Sequence, residues 1–474
     1  MKHRVLLAGY NVEPQALSGN GPLTPEVFSA AYARISRSKK DVPALRQEAR
    51  GDLVKARERN QRIIFGYGHA SVAEHAVFNF DIMGITRLAL EYLEALPFAS
   101  FTEKSQRYVT FGSDFYLPRE LPAHLVDRAR QAFKAIHGLY LSVIDEILPV
   151  LESAYRSNSR EWRRQKAKED ARYLLPLCTQ SQVGMTINAR ALEDLVRYLR
   201  SQPLAELHIL ADALAQAAAH VAPSLIRYTE ARSVLREKQF PACRAWRTAA
   251  AQTLHKAPSI SWLRCNRDLD RLLVQYMVFS NSGLSFSEAG ERVQRMARSE
   301  IAAMFHQVYA DLNAHDSLPK EWRHACVEFA ALMSASCFAQ LKRHRRAAIT
   351  AQAYDVALGI MVPETIDLGP GTWQQGVRLF ERIYSEWAAS DPSAASYFLT
   401  NGHMRRVVCR FDIQSLYNFF RLRSDKGAQW EIRRLADNLL ARLKQRAPFT
   451  CALAGGKDAF AKIKKEYLHV TDQS

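Results

Sequence analysis

The chain carries LRSQPLAELHILADALAQAAAHVAPSL at residues 199–225 and LRSDKGAQWEIRRLADNLLARLKQRAPFT at residues 422–450. Each segment opens with Leu-Arg-Ser, continues through Leu-Ala-Asp and reaches Ala-Pro two residues before its end. Asp212 precedes Pro223 by 11 positions, and Asp437 precedes Pro448 by the same 11. Ordered anchors with equal final spacing indicate a tandem duplication. Apolar residues recur at helical spacing in both copies, which predicts two helices that end at the Ala-Pro pair.

Length and pattern extend this prediction to the whole chain. A chain of 474 residues exceeds the usual size of one hydrophobic core, so two domains are expected. The segment Glu237–Ile260 is predicted to be a linker or an exchange region. Val77–Ile82 alternates like a half-buried strand, and helical spacing dominates elsewhere. A capping box at Ser285 and Glu288 predicts one helix with an apolar stripe formed by Val293, Met296, Met304 and Val308.

Composition limits the classes of partner and compartment. The net charge of +17 favours polyanions, which are either nucleic acid or phosphorylated small molecules. Seven cysteines without a Cys-x-x-Cys pair indicate neither a disulfide framework nor a zinc site, as in a reducing compartment. No run of about 18 apolar residues occurs, and the segment 1–8 is too short for a signal peptide. We therefore expect a cytoplasmic protein without a membrane partner.

The first segment with a chemical pattern is EKSQRY at residues 103–108. Ser105 and Arg107 are two positions apart in a stretch that is predicted to be a loop. A guanidinium offers a fork of donors to a phosphate, and a hydroxyl adds a neutral donor. A surface turn with a Glu–Arg pair remains the alternative interpretation.

The second segment is KRHRR at residues 342–346. Like charges within about one helical turn repel each other by a few tenths of a kcal/mol per pair, and an anionic cofactor would relieve that repulsion. A solvated basic helix end and a nucleic-acid patch are the alternatives.

The third segment is a predicted helix over residues 412–425 that carries Asn418 and Arg423. The first half has a parallel in Asn188, Arg190 and Arg200. An Asn and an Arg near a helix also occur in ordinary hydrogen bonding at the edge of a core, so this pattern alone selects no function.

Together these segments resemble the flavin-dependent thymidylate synthases. That family carries an Arg-His-Arg signature followed by Glu-x-Ser-x-Arg. GHASVAEH at 68–75 is similar to the family's Gly-His-x-(Ser/Thr)-Pro-x-Glu-His, although the Pro is missing. The segments ARYLLPL at 171–177, NAR at 188–190 and AQWEI at 428–432 resemble its later segments. The resemblance covers most of residues 28–225 and, more thinly, about 313–450.

The resemblance implies an α+β fold of two tandem domains, 1–240 and 255–474, each helix-rich with a central, mainly antiparallel sheet. The two halves depart from the family at complementary places. The first half has Ala95-Leu96-Pro97 at the Arg-His-Arg position, and the second half has Ala353 and Asp355 at the Ser and Arg positions. Asp412-Ile413-Gln414 stands where the first half has Asn188-Ala189-Arg190, and Tyr397 is taken as the counterpart of Arg172.

These complementary losses predict one composite site built from both halves. The implied reaction is the reductive methylation of deoxyuridylate (dUMP), with FAD as cofactor and with methylenetetrahydrofolate and NAD(P)H as co-substrates. Arg423 is the expected catalytic residue, because a guanidinium at the pyrimidine edge stabilises negative charge on the ring. The expected cofactor-binding residues are Arg343, His344, Arg345, Asn418, Asn188, Arg190 and Glu103. The expected substrate-binding residues are Ser105, Arg107, Gln340, Arg172 and Arg200.

Two other functions stay open at this point. One is a diverged flavoenzyme that acts on another pyrimidine nucleotide, and the other is a non-catalytic nucleotide- or nucleic-acid-binding protein. No metal is expected, although His69 and His75 flank Glu74. Because the family forms tetramers, a duplicated chain is expected to form a homodimer.

Overall fold

The computed structural model describes residues 3–235, 254–366 and 371–471. The chain divides into two compact units. Unit 1 comprises Met1–Ala249 and Thr365–Asn401, and unit 2 comprises Ala250–Glu364 and Gly402–Ser474. Residues 365–401 belong to the second half of the sequence but are part of unit 1. Most of the predicted linker, residues 237–253, lies outside the described residues.

The strands have the following bounds: β1 Arg4–Tyr10, β2 Val77–Thr86, β3 Ala99–Glu103, β4 Gln180–Asn188, β5 Leu254–His255, β6 Ser259–Cys265, β7 Cys326–Ser334, β8 Ala348–Ala351, β9 Ile360–Met361 and β10 Met404–Asp412.

The α-helices have the following bounds: α1 Glu26–Tyr32, α2 Val42–Gly51, α3 Leu53–Gln61, α4 Arg87–Leu93, α5 Ala123–Ala154, α6 Arg160–Ala171, α7 Ala189–Ser201, α8 Ala205–Val221, α9 Leu269–Asn281, α10 Phe286–Arg295, α11 Arg298–Asp311, α12 Ala335–Leu341, α13 Thr372–Trp387, α14 Pro392–Ala395, α15 Ile413–Arg423, α16 Trp430–Arg446 and α17 Phe460–Thr471.

Each unit contains a four-stranded antiparallel sheet. The order is β1-β2-β4-β3 in unit 1 and β6-β7-β10-β8 in unit 2. Corresponding strands occupy corresponding places, and β5 and β9 form a separate parallel pair. The α+β prediction is therefore confirmed, with a helix-rich chain and antiparallel central sheets.

Both sheets lead into helices through the same local device. The strands β2, β4, β7 and β10 end at Thr86, Asn188, Ser334 and Asp412, and each of these side chains accepts a hydrogen bond from a backbone N–H of the next helix. Ser, Thr, Asn and Asp are the residues that stabilise a helix start in this way. The strand-to-helix junctions thus follow from the local sequence.

The two units also share one arrangement of buried side chains. Glu206, on α8 of unit 1, accepts hydrogen bonds from the backbone N–H and the hydroxyl of Thr86. Glu431, on α16 of unit 2, accepts the same two bonds from Ser334. A buried carboxylate that satisfies both donors of a strand end is a specific arrangement, and its recurrence supports the tandem duplication.

A local twofold pairing lies inside unit 1. The 3-10 helices Arg172–Leu174 and Ser396–Phe398 follow α6 and α14. Pro176 and Thr400 occupy the same position after these helices, and they pair with each other in an antiparallel bridge. A residue that pairs with its own counterpart marks a twofold axis. The two sequence halves therefore meet symmetrically at this bridge.

One sequence prediction is wrong, because the apolar stripe from Val293 to Val308 does not lie on a single helix. Met296 and Ala297 are extended and separate α10 from α11. Arg271, which is distant in sequence, donates to the carbonyl oxygens of Val293 and Met296. The carbonyl groups at the end of α10 are thus satisfied by a side chain of α9. Hydrophobic periodicity alone could not locate the break, because it carries no information on this distant side chain.

The buried Glu206 gives an expected pH dependence of stability. Burial raises its pKa to about 7, although hydrogen bonds from Thr86 and Tyr397 oppose the shift. Between pH 4.5 and 7 the folded state keeps a proton on Glu206 that the unfolded state has lost, so the contribution of Glu206 to the free energy of unfolding falls as pH rises through this window, by about 1.4 kcal/mol per pH unit. Glu206→Gln should remove this slope and be the more stable protein above pH 7. Urea unfolding of both proteins across this range tests it, and parallel stability curves would contradict it.

Candidate active site

The predicted phosphate loop of unit 1 begins at the end of β3. Glu103 forms a buried ion pair with Arg87 of α4. A buried pair of this kind holds its partners in one geometry, because separating them leaves an uncompensated charge. Glu103 therefore anchors the start of the loop, which sequence reasoning did not foresee, because Arg87 is not part of the family signature.

Ser105 and Arg107 follow this anchor. The Ser105 hydroxyl oxygen accepts a hydrogen bond from the Arg107 backbone N–H at 3.2 Å, and the Arg107 guanidinium donates to Glu169 of α6. Burial alone would raise the pKa of Glu169, but Arg107, Lys166 and Arg172 outweigh it, and the pKa is lowered. Glu169 is thus an ionised carboxylate that pairs with Arg107 and interacts electrostatically with Arg172.

Arg172 is the least satisfied charged group in this region. Its side chain is only 4 % exposed, and its Nε and Nη2 have no hydrogen-bond partner among the described residues. Burial lowers its pKa, and the nearby Glu169 opposes that shift. A buried guanidinium with unused donors is costly unless an anion completes it. Arg172 is therefore a candidate ligand for an anion with several acceptor oxygens.

Gln106 and Asn401 border Arg172. The Asn401 amide donates to the Gln106 side-chain oxygen at 3.2 Å and to the backbone oxygen of Arg172 at 3.0 Å. The Gln106 side-chain nitrogen is buried without a partner among the described residues. Gln106 is therefore a further candidate hydrogen-bond donor to an anion. The sequence signal that could have identified it is its position between Ser105 and Arg107.

The structure corrects the sequence counterpart of Arg172. Arg172 is the first residue of its 3-10 helix, and Ser396 is the first residue of the corresponding one. Tyr397 therefore matches Tyr173, and its hydroxyl donates to Glu206 at 2.8 Å. Sequence reading displaced the match by one position, although Ala395-Ser396-Tyr397 aligns directly with Ala171-Arg172-Tyr173.

The remaining predicted residues of unit 1 lie near α7. The Asn188 side chain accepts from Ala191 N–H at the start of this helix, and Arg190 forms an exposed ion pair with Glu74 of the segment 68–75. The structure therefore brings together the GHASVAEH and NAR segments. Arg200, near the other end of α7, donates to Asp212 and Thr229.

Arg200 of α7 and Arg423 of α15 do not occupy corresponding positions in their helices. Asn188 and Asp412 both cap a helix, and counting from these caps aligns Arg423 of α15 with Leu199 of α7. Successive residues of a helix point about 100° apart, so Arg200 does not repeat the direction of Arg423. The matching Leu-Arg-Ser of the two segments concealed this difference.

In unit 2, one guanidinium brings three predicted residues together. Arg423 Nε donates to His344 Nε2, Nη1 donates to the Gln340 side-chain oxygen, and Nη2 donates to the Gln340 backbone oxygen, each at 3.0 Å. Gln340 lies on α12, and His344 lies in the basic turn 342–346 that follows it. Segments about 80 residues apart in sequence therefore form one cluster, which we call the Arg423 cluster.

The electrostatics of the Arg423 cluster fix the state of its imidazole. Burial, together with the charges of Arg423 and Arg343, lowers the pKa of His344 to about 3. The ring is therefore neutral at physiological pH, and its Nε2 can accept the Arg423 donor. Phe419 contacts the ring edge-to-face at 5.0 Å between centroids. His344 acts here as a hydrogen-bond acceptor and not as a cation.

The other predicted cofactor-binding residues of unit 2 are more exposed to solvent than the Arg423 cluster. Arg343 and Asn418 are exposed, and Arg345 is half-buried. Arg346, at the end of the basic turn, lies 3.3 Å from the side-chain oxygen of Gln414 and 3.8 Å from Asp412. Exposed guanidinium groups beside a buried, neutral imidazole are suited to an elongated anionic ligand.

Two further features of the described part of the chain concern metal ions and membranes. No group of three or more His, Cys, Asp or Glu side chains there has the arrangement of a metal site. Within residues 3–235, 254–366 and 371–471, no helix combines the length and the apolar character needed to cross a membrane.

A comparison with known protein families matches residues 23–224 and 266–449 to the family described as thymidylate synthase complementing protein. The flavin-dependent thymidylate synthase of Geobacter sulfurreducens is 32 % identical over 174 residues, which cover 35 % of this chain and 66 % of the relative. That of Clostridium tetani is 28 % identical over 211 residues, which cover 43 % and 82 %. The matched region thus spans slightly less than two thirds of the Geobacter relative.

Similar solved structures include Thymidylate Synthase X from Helicobacter pylori with FAD and dUMP. It is 22 % identical with a TM-score of 0.29, over 48 % of this chain and 100 % of that chain. A UMP/dUMP methylase from Streptomyces cacaoi is 15 % identical with a TM-score of 0.35, over 43 % and 98 %.

Proposed function

Because this chain belongs to the thymidylate synthase complementing protein family, we propose that it catalyses the reductive methylation of deoxyuridylate. FAD is the proposed cofactor, and methylenetetrahydrofolate and NAD(P)H are the proposed co-substrates. The support for this reaction comes from the two matched regions of the chain and from the chemistry of the residues described above.

The observation that carries the proposal is the buried Arg172. Its unused donors lie in the same unit as Ser105 and Arg107, and Glu169 links the two arginines electrostatically. A nucleotide 5′-phosphate would accept hydrogen bonds from these donors, because it offers several charged acceptor oxygens. Binding energy from the phosphate, which does not itself react, then orients the pyrimidine.

The Arg423 cluster is the proposed pyrimidine site. Attack from C5 of the pyrimidine requires electron density that the ring supplies when negative charge on its carbonyl edge is stabilised. Arg423 would donate to that edge, while Gln340 and the neutral His344 hold the guanidinium in place. Preorganised donors of this kind act most strongly as the charge develops.

The donor set of the chain also fits a flavin dinucleotide. Arg343 and Arg345 would hold its diphosphate in unit 2, together with Asn418. Asn188 and Arg190 would contribute from unit 1. When bound, FAD would supply the hydride chemistry of the reaction. The residues of the chain bind it, orient it and exclude water around it.

We propose that the site is composite, with one functional copy per chain. The support is the complementary retention of residues, since Ser105, Arg107 and Arg172 occur in unit 1 and the Arg423 cluster occurs in unit 2. The local twofold pairing at Pro176 and Thr400 within unit 1 is compatible with a fused pair of this kind. We further propose a homodimer, which the molar mass of the purified protein in solution tests.

The test is the visible spectrum of the purified protein, followed by turnover with dUMP, methylenetetrahydrofolate and NADPH. A flavin spectrum and thymidylate formation are expected. A colourless protein that does not take up added FAD would contradict the proposal. Flavin binding without thymidylate formation would instead favour action on another pyrimidine nucleotide. The motivating observations are the altered second-half loop at residues 347–352 and Val72 in place of the family's Pro. Salt-dependent DNA or RNA binding without flavin would favour the non-catalytic alternative.

A further inference from the structure

Unit 2 contains a loop at residues 351–355 that corresponds to the phosphate loop of unit 1. Glu103 pairs with Val183 on β4, and Ala351 pairs with Val407 on β10, each partner being the fourth residue of its strand. The next backbone N–H, of Lys104 or Gln352, donates to the carbonyl oxygen of the preceding residue on that strand. The two loops therefore start in the same register.

The donors of the first loop are absent from the second. Ala353 stands at the position of Ser105, and Asp355 stands at the position of Arg107. The Asp355 carboxylate accepts from the Ala357 backbone N–H at 3.0 Å and so caps a short 3-10 helix. A carboxylate at this position repels a phosphate, whereas a guanidinium attracts it.

A buried arginine fills the interior of the second loop. Arg405, the second residue of β10, is 9 % exposed, and its guanidinium carbon lies 4.4 Å from the Phe338 ring centroid and 4.2 Å from that of Tyr354. Its Nε and Nη2 both donate to the Gln352 backbone oxygen, at 2.8 and 2.6 Å. The corresponding residue of unit 1 is Ser181, the second residue of β4.

These contacts secure the loop from two sides. The cation lies between an aromatic ring of the loop and one of α12, and the two rings attract it through their faces. Its planar fork also holds a loop carbonyl, which a lysine could not do in the same way. Tyr354, at the position of Gln106, is buried at 4 % exposure in this stack.

We propose that the Arg405 side chain occupies the interior of the second loop and blocks it. Each chain therefore binds a nucleotide 5′-phosphate only at the loop of unit 1. This rests on the proposed nucleotide-binding function. The consequence is an asymmetric protein with one phosphate site per chain, although both loops keep the same backbone start.

The test compares the full-length wild type with Arg405→Ser, which carries the residue of unit 1, and with Arg406→Ser as a matched control. Arg406 is the next residue of β10 and its side chain is exposed. Hydrogen exchange without ligand should become at least about tenfold faster over residues 351–359 in Arg405→Ser and stay unchanged in Arg406→Ser. Arg405→Lys, which keeps a cation but loses the fork, should be intermediate and serves if Arg405→Ser does not fold.

Calorimetric titration with dUMP gives the second readout. We expect one dUMP per wild-type chain and no saturable binding in Arg107→Ala. Two dUMP per chain, or a full remaining site in Arg107→Ala, would overturn the proposal, as would unchanged exchange in Arg405→Ser. If the wild type bound no dUMP at all, the proposed function would fail, while the exchange experiment would still decide whether Arg405 closes the loop.

Discussion

Replacing Arg172 with methionine is expected to leave the unliganded protein at least as stable as the wild type while dUMP affinity falls about 100-fold or more. Arg172 is buried with unused Nε and Nη2 donors. Exchanging a buried cation with unused donors for an apolar side chain of similar volume removes its desolvation cost, and Glu169 keeps its ion pairs with Arg107 and Lys166. Removing a buried charge that pairs with a ligand phosphate costs about 2–5 kcal/mol of binding. The two effects therefore have opposite signs.

The matched control is Arg87→Met. Arg87 is buried like Arg172, but it pairs with the equally buried Glu103. Removing it leaves an uncompensated carboxylate, so we expect a loss of about 3–5 kcal/mol in the free energy of unfolding. Urea unfolding measures both variants, and the thermal shift on adding dUMP measures binding. A large destabilisation by Arg172→Met, with nucleotide binding retained, would show that Arg172 serves the fold and not the phosphate.

Replacing Arg423 with leucine, the residue at the corresponding position of α7, is expected to lower kcat about 100- to 1000-fold. Loss of one preorganised donor to developing negative charge has this magnitude in other enzymes. The nucleotide KM should change less, because the proposed phosphate contacts come from unit 1. Steady-state kinetics with dUMP measure both parameters.

Arg421→Leu is the control on the same helix. Arg421 lies two positions before Arg423, so it points to another side of α15, and it donates to the Asp316 carbonyl oxygen. Its loss should leave kcat unchanged. In Arg423→Leu the pKa of His344 should also rise from its low value, since the Arg423 charge lowers it in the wild type. Nuclear magnetic resonance titration of His344 reports this directly, and an unchanged kcat would remove Arg423 from the proposed chemistry.

Local structure could be predicted from the sequence to a considerable extent. The strand β2 and the four capped strand-to-helix junctions follow from local alternation and cap residues. The grouping of Gln340, His344 and Arg423 was expected from family resemblance, and the structure brings these three side chains together. Roles toward ligands stay predictions for all of them.

Other features depend on partners that are distant in sequence. Arg271 divides a periodic apolar segment into two helices. Arg87 engages Glu103, which sequence reasoning assigned to the cofactor. Arg405 replaces a serine and occupies the interior of the second loop. No local pattern indicates these contacts, because each is fixed by the packing of elements that lie far apart along the chain.

The amino-acid sequence by itself determined that this chain is a duplication, which family it belongs to and which half keeps which motif, because repeats, caps and periodicity are properties of neighbouring residues. Only the tertiary structure decided that residues 365–401 belong to unit 1, that Arg172 is buried with unused donors, and that Arg405 is enclosed by two aromatic rings. Burial and the satisfaction of charges are set by whatever surrounds a group in space, and those surroundings come from remote parts of the chain.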